Sequence, residues 1–520
     1  MVRAAGEFLD APHEGAPMRF SDVRDLALPL GRLSAWVASE ATLARAAAQT
    51  ADPRGPSHNQ HGHISDALAR RVDPELLDLG MESIGASGKA PATGWLGVAF
   101  EVPTADGGCL QRAFEGWVSR HETLRSGFRP TGVGITDVEF ERMTLGPDEV
   151  RFDEVDLGAC TDATTLADTL DDLFNRSTDA VSWPAYAFAA IRSSKGTTVV
   201  MAFDHVNIDG YSILLSVSEI RELIDADREG RPAQLAPVPS YLDFVQDELA
   251  LASEASASHV AVDTWREFIG DRGTLPRFPL PDGLPPGSQV PQEARCIPII
   301  TEVQASAFGA WCRANGASAA TGFLATMSLA FTRRAQQIAA ERGIETAPDV
   351  VGFRSLVSTH TRHSPHWAES IGWFTAIAPF AVEYPADREL IDVLALANES
   401  WTTAKQGAGL PMPRISDLLD APLQPRFVLS YLDARFNRSA DRWDDWKAHA
   451  LIGDVGPTDE VYAWINRMPT ETYLTWRFPG NEVCGAEVEA VTKLMAQIIL
   501  ETLSLGSEPI RTPVESSAQW

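Results

Sequence analysis

An imidazole stands four residues ahead of a carboxylate and a glycine in His205-Val-Asn-Ile-Asp-Gly210. Histidine titrates near neutrality, so an imidazole held at the edge of a cleft can take a proton from an attacking group. Taken alone the pattern is short, and a structural histidine accounts for it better than a catalytic one. The other reactive side chains argue less. His58, His61 and His63 sit in a stretch bordered by glycine and proline with no acid or cysteine beside them, which predicts a solvated loop rather than a metal site. His360, His363 and His366 recur every third residue, but they follow a strand signal and include Pro365, so metal binding is not expected. Cys312 and Cys484 lie in apolar helical settings and read as buried, inert thiols. Arg120, His121 and Arg125 read as structural, and Arg333 and Arg334 as a solvated helix face.

The elements around the histidine set its position. Residues 197–203, Thr-Thr-Val-Val-Met-Ala-Phe, read as a buried strand, and residues 211–220 as a helix entering the core, which puts His205 at a strand-to-helix turn. Residues 95–102 read as a further strand. Residues 107–119 read as a helix with Leu110, Phe114, Trp117 and Val118 on one face. Residues 184–192 and 197–203, joined by Ser-Ser-Lys-Gly, read as an antiparallel hairpin. Further along, helices are expected at 302–315, stopped by Gly316, and from Ser318 as N-cap to about 341. Strands are expected at 349–359, 377–382, 424–431, 461–466 and 472–478. The stretch 274–291 holds six prolines and two glycines and can form no regular element. Residues 87–93 also look loop-like. Two α/β halves around a linker make a natural cleft.

The chain has 520 residues, too many for one ordinary core. Hydrophobic residues make up 44% and charged residues 22%, a globular composition with no apolar run long enough for a membrane helix. The first ten residues make a poor signal peptide. Five scattered cysteines without a Cys-x-x-Cys pair fit a reducing cytoplasm. A net charge of −28 argues against nucleic acid and anionic lipid as partners, though a local basic patch for an anionic ligand remains compatible with it.

An ordered set of segments then resembles one family. Arg120-His-Glu-Thr-Leu-Arg-Ser-Gly-Phe128 follows the expected helix, and Phe203-Asp-His-Val-Asn-Ile-Asp-Gly-Tyr-Ser212 carries the histidine. Residues 350–362 form a strand ending in arginine, and Ser370-Ile-Gly-Trp-Phe-Thr375 comes next, with Pro379. Ser430-Tyr-Leu-Asp-Ala-Arg435 and Ala463-Trp-Ile-Asn-Arg467 close the series. Over roughly residues 25–505 the chain resembles the condensation-domain branch of the chloramphenicol-acetyltransferase-like acyltransferases, above all the polyketide-associated acyltransferases of actinobacteria.

The resemblance implies two chloramphenicol-acetyltransferase-like α/β lobes with a cleft or tunnel between them. The boundaries expected are an N-terminal extension at 1–24, an N-terminal lobe at 25–272, the linker at 273–292, a C-terminal lobe at 293–506 and a tail at 507–520. It further implies acyl transfer from a thioester of coenzyme A, or of an acyl or peptidyl carrier protein, to an acceptor hydroxyl, in lipid, polyketide or other natural-product biosynthesis. His205 would be the base, Asp209 a brace held by Arg362, and Gly210 a tight turn whose N–H helps the oxyanion. Trp373, Tyr431 and Asp433 would line the substrate site. No tightly bound cofactor is implied, and a cytoplasmic monomer is expected. One departure stands out. Many condensation domains carry two adjacent histidines, and Asp204 takes the first position here. That leans towards an ester-forming enzyme over an amide-forming one. A non-catalytic binding or scaffold protein is the remaining alternative, against which the intact His205, Asp209, Gly210 and Arg362 set weighs.

Overall fold

Strand Gly196–Phe203 shows why this chain folds in layers. Val199, Met201 and Phe203 pack into one core and Val200 and Ala202 into another, so the run is apolar without interruption. The computed structural model describes residues 18–71, 92–131, 138–343 and 350–505. Most of the expected N-terminal extension, the tail at 507–520 and most of the stretch 87–93 lie outside the described residues.

The first half carries β1 (Phe20–Ser21), β2 (Arg32–Ala38), β3 (Leu96–Val102), β4 (Ser126–Thr131), β5 (Glu139–Thr144), β6 (Phe152–Ala159), β7 (Tyr186–Ser193) and β8 (Gly196–Phe203). The second half carries β9 (Gln292–Thr301), β10 (Val350–His360), β11 (Thr375–Pro385), β12 (Phe427–Asp433), β13 (His449–Ile452), β14 (Val461–Arg467) and β15 (Glu471–Pro479). They form a seven-stranded sheet ordered β1-β13-β3-β8-β7-β2-β6, a six-stranded sheet ordered β11-β10-β12-β14-β15-β9, and the pair β4-β5. The expected hairpin is β7–β8, antiparallel from Tyr186/Phe203 to Ser193/Gly196. The helix behind the motif runs Gly210–Glu229 and stops at Gly230, whose φ of 64° suits a residue without Cβ. Helices Glu302–Ala314 and Ala319–Glu341 follow the expected pattern, with Ser318 accepting from the Thr321 amide.

Two features depart from a simple division at the linker. Strand β13 crosses back and pairs with β3 in the first sheet, from His449/Ala99 to Ile452/Leu96. In the second sheet, parallel β10 and β12 pair only from Leu356/Val428 to Ser358/Ser430. Beyond that point β10 stays with β11 as far as His360, and β12 with β14 as far as Asp433. The two strands therefore part and leave a gap in the sheet.

The three N-terminal histidines also need correction. His58–Arg71 is a helix, not a solvated loop. Its start is a capping box: Ser57 Oγ accepts from the Gln60 amide at 3.1 Å, and Gln60 Oε1 from the Ser57 amide at 3.0 Å. That Ser-x-x-Gln signal was present in the sequence, and the flanking glycine and proline masked it.

Candidate active site

The turn 204–209 lies between the end of β8 and the helix Gly210–Glu229. Asp209 is the N-cap of that helix, and its Oδ1 accepts from the Ser212 amide at 2.7 Å. Arg362, just past β10, donates to Asp209 Oδ2 at 2.8 Å and to Oδ1 at 3.3 Å, and the Phe374 amide donates to Oδ2 at 3.0 Å. The carboxylate is 3% exposed. Burial works to raise its pKa, but Arg362 and the Ser212 donors outweigh that and hold it below the ordinary carboxylate range. A carboxylate so fully engaged is a brace between the two halves of the chain and not a second base.

Arg362 is held in turn. It donates to Ser212 Oγ at 2.7 Å and to the Ser370 carbonyl at 3.2 Å, and its guanidinium lies 4.2 Å from the Phe374 ring centroid. The segment 370–374 can pass here because residue 372 is glycine. A Cβ on Gly372 would stand 2.3 Å from the Tyr241 ring.

His205 lines a cavity of about 550 Å³ shared by both halves. Burial, above all, pushes its pKa below the ordinary value, and His63 adds to this. Contact with its own backbone and the Asp209 and Asp204 carboxylates pull the other way without reversing it. The imidazole is therefore neutral at neutral pH, the state a base requires.

Trp373 does not line this cavity, where the sequence placed it as a substrate contact. Its indole lies against His205, with centroids 4.1 Å apart, and meets His63 edge-on at 5.6 Å. His63 reaches both oxygens of Asp204, at 2.9 and 3.1 Å, and Asp204 also accepts from the Val206 amide at 2.7 Å. The aspartate in place of a first histidine thus has a histidine partner from a distant helix, and the pair braces the turn that carries His205. His63 was missed because nothing near it in sequence announces Asp204. The companions diverge: His61 meets Phe140 edge-on at 5.2 Å, and His58 faces Asp417 and Arg414.

Gly210 is the first residue of its helix and has no positive φ, so the expected tight turn is not why it is glycine. A Cβ there would meet only Phe20, at 4.0 Å, and would project into the cavity that Gly210 lines. Tyr431 and Asp433 both line the cavity, but Asp433 is bound to Arg435 at 2.7 Å. His360 lines it too, whereas His366 packs on Trp367. Burial pushes the thiols of Cys312 and Cys484 up to about 12, consistent with inert packing. Arg120 and His121 grip Glu219 at 2.9 and 2.6 Å, so their motif ties helix Gly107–Arg120 to helix Gly210–Glu229. Arg333 and Arg334 pair with Glu501 and Glu487.

A two-lobed α/β fold with this motif between the lobes defines a class, and comparison with known proteins places the chain within it. Residues 98–443 match the Condensation domain family, and the chain belongs to that family. It is similar to Acyltransferase PapA3 of Mycobacterium tuberculosis, 27% identical over 322 residues, which are 61% of this chain and 63% of that protein. The match therefore spans just under two thirds of that relative's length. It is also similar to Trehalose-2-sulfate acyltransferase PapA2 of Mycobacterium bovis, 27% identical over 333 residues, 62% of this chain and 67% of that protein. Among solved structures, a PapA2 acyl transferase superposes with a TM-score of 0.76 at 22% identity, covering 94% of this chain and 100% of that one. The X-domain from teicoplanin biosynthesis gives 0.61 at 12%, covering 88% and 96%. Among the described residues no helix is long and apolar enough to cross a membrane.

Proposed function

We propose that the protein is an acyltransferase that moves an acyl group from a coenzyme A or carrier-protein thioester to an acceptor hydroxyl, forming an ester in lipid or other natural-product biosynthesis. The observation that carries this reading is the imidazole of His205 on the wall of a cavity shared by both halves, beside a carboxylate already committed to Arg362. The hydroxyl oxygen attacks the thioester carbonyl carbon while His205 takes its proton. The C–S bond then breaks, and the proton passes to the departing thiolate, which leaves as free thiol. No acyl-enzyme is needed, since no nucleophilic cysteine or activated serine is required on the wall. The named activity of PapA3 and PapA2 supports acyl transfer, and PapA2's named acceptor favours an oxygen nucleophile. The cavity wall, with Ser358, Ser430, Asn466 and Thr475, suits a hydroxyl-rich acceptor.

The test assays wild type and His205→Ala with acyl-coenzyme A and acyl-carrier-protein donors, each offered alcohols and amines. Loss of His205 is expected to lower kcat by about 10²–10⁴-fold. Unchanged turnover would remove the base assignment, and turnover with amines alone would replace the ester by an amide.

A further inference from the structure

The cavity beside His205 does not end at the face of the second sheet. Side chains alternate between the two faces of a strand. Val357, Leu429 and Ile465 pack into the core under the helices, whereas Leu432 packs against the core of the first sheet. By that alternation Ser358, Ser430, Trp464 and Thr475, aligned across β10, β12, β14 and β15, face the His205 side. Val357, Thr359 and Tyr431 face the helices. Both sets line one cavity. It therefore passes through the gap where β10 and β12 part, with Thr359 and Tyr431 on its two lips.

The two sides differ in chemistry. The His205 side is mixed: it carries the hydroxyls of Ser358, Ser430 and Thr475, the amide of Asn466 and the guanidinium of Arg477, with the Trp464 indole and Leu432 among them. The far side is walled by Ala320 and Leu324 of helix Ala319–Glu341, by Trp401 of helix Leu390–Gly407 with Lys405 of the same helix beside it, and by the Tyr431 ring, which stacks on Phe323 at 5.6 Å. We propose that this arm beyond the gap is the site of the donor's linear acyl chain, with Ala320 setting how long a chain it admits. This rests on the acyl-transfer reading of His205. In that reading the thioester carbonyl and the attacking hydroxyl meet at the imidazole. The wall that carries the hydroxyls takes the acceptor, and a linear apolar tail can run on through the gap between the strands onto Leu324, Trp401 and Tyr431.

Hexadecanoyl-pantetheine and acetyl-pantetheine separate the possibilities, since both kinds of thioester donor share the pantetheine arm. Calorimetric Kd values for the two are measured with wild type, Ala320→Leu and Ala320→Phe, each first checked for native circular dichroism. Wild type is expected to prefer the long chain by at least tenfold. Ala320→Leu should shrink that preference, and Ala320→Phe should abolish it. A wild-type preference near one, or one untouched in both variants, overturns the proposal. Turnover is followed in parallel with the same thioesters. A preference that falls as expected without turnover on any acceptor would remove the acyl-transfer reading and leave the chain-binding arm. Turnover with no response to either variant would do the reverse.

Discussion

A histidine that works as a base must be neutral when the acceptor arrives, and the surroundings of His205 favour that state. Its folded pKa lies below 6.5 through burial and the nearby His63. The neutral form therefore predominates at pH 7, and activity is lost as pH falls through the lowered value. The acid limb of kcat/KM is expected to have its midpoint below pH 6.5, with activity levelling off above it. A limb centred above 6.5 would contradict this environment. Arg362 gives a second expectation. Removing it leaves the buried Asp209 carboxylate without its main counter-charge, so Arg362→Ala should lose about 3–5 kcal/mol of stability in urea unfolding. Full stability in that variant would mean that Asp209 is satisfied without its arginine. His205, Asp209 and Gly210 were legible as a motif because they are neighbours in sequence. His63 and the ring contact of Trp373 were not, since their partners Asp204 and His205 lie far along the chain.

At the scale of elements, the helix Gly210–Glu229 is held at its N-terminus and at its middle. Asp209 caps it beside the cavity, and Glu219, in its middle, is tied to the neighbouring helix by Trp117, Arg120 and His121. Burial works against the Glu219 charge, yet His121, Arg120 and Trp117 hold its pKa down to about 2. A depressed carboxylate contributes stability that is present above its unfolded pKa of about 4.3 and lost as pH falls towards the folded value. Urea unfolding of wild type between pH 5 and pH 2.5 should therefore show a loss that Glu219→Gln lacks, on the order of 2 kcal/mol. Parallel curves for the two proteins would contradict the pairing. Long apolar strands such as β8 and the capped helix Ala319–Glu341 could be read from period and caps. The helix His58–Arg71 could not, because its histidines and glycine are weak helix formers, and its docking supplies what propensity lacks. Gln60 donates to the Val206 carbonyl at 2.8 Å, and Asn59 to the Thr375 carbonyl at 2.9 Å.

Across the whole molecule the two halves are not independent. Strand β13 from the second half completes the first sheet beside β3, and Arg362 and the Phe374 amide from the second half hold Asp209 of the first. Residues 1–272 expressed alone would expose the β3 edge and strand the Asp209 charge, so this piece should be insoluble and be rescued by co-expression with residues 273–520. A soluble, cooperatively folding first half would refute that dependence. The sequence alone determined the chemistry on offer: one histidine with a carboxylate at fixed spacing, the arginine expected to brace it, and buried strands whose apolar runs show sheets covered on both faces. Those properties are local, or carried by an ordered series of motifs. Only the tertiary structure decided that Asp204 is partnered by His63, that the Trp373 indole lies against the His205 ring, and that β10 and β12 part to open a way through the second sheet. Each of these depends on where a strand ladder stops or which distant element packs against the turn. No periodicity within one segment encodes that.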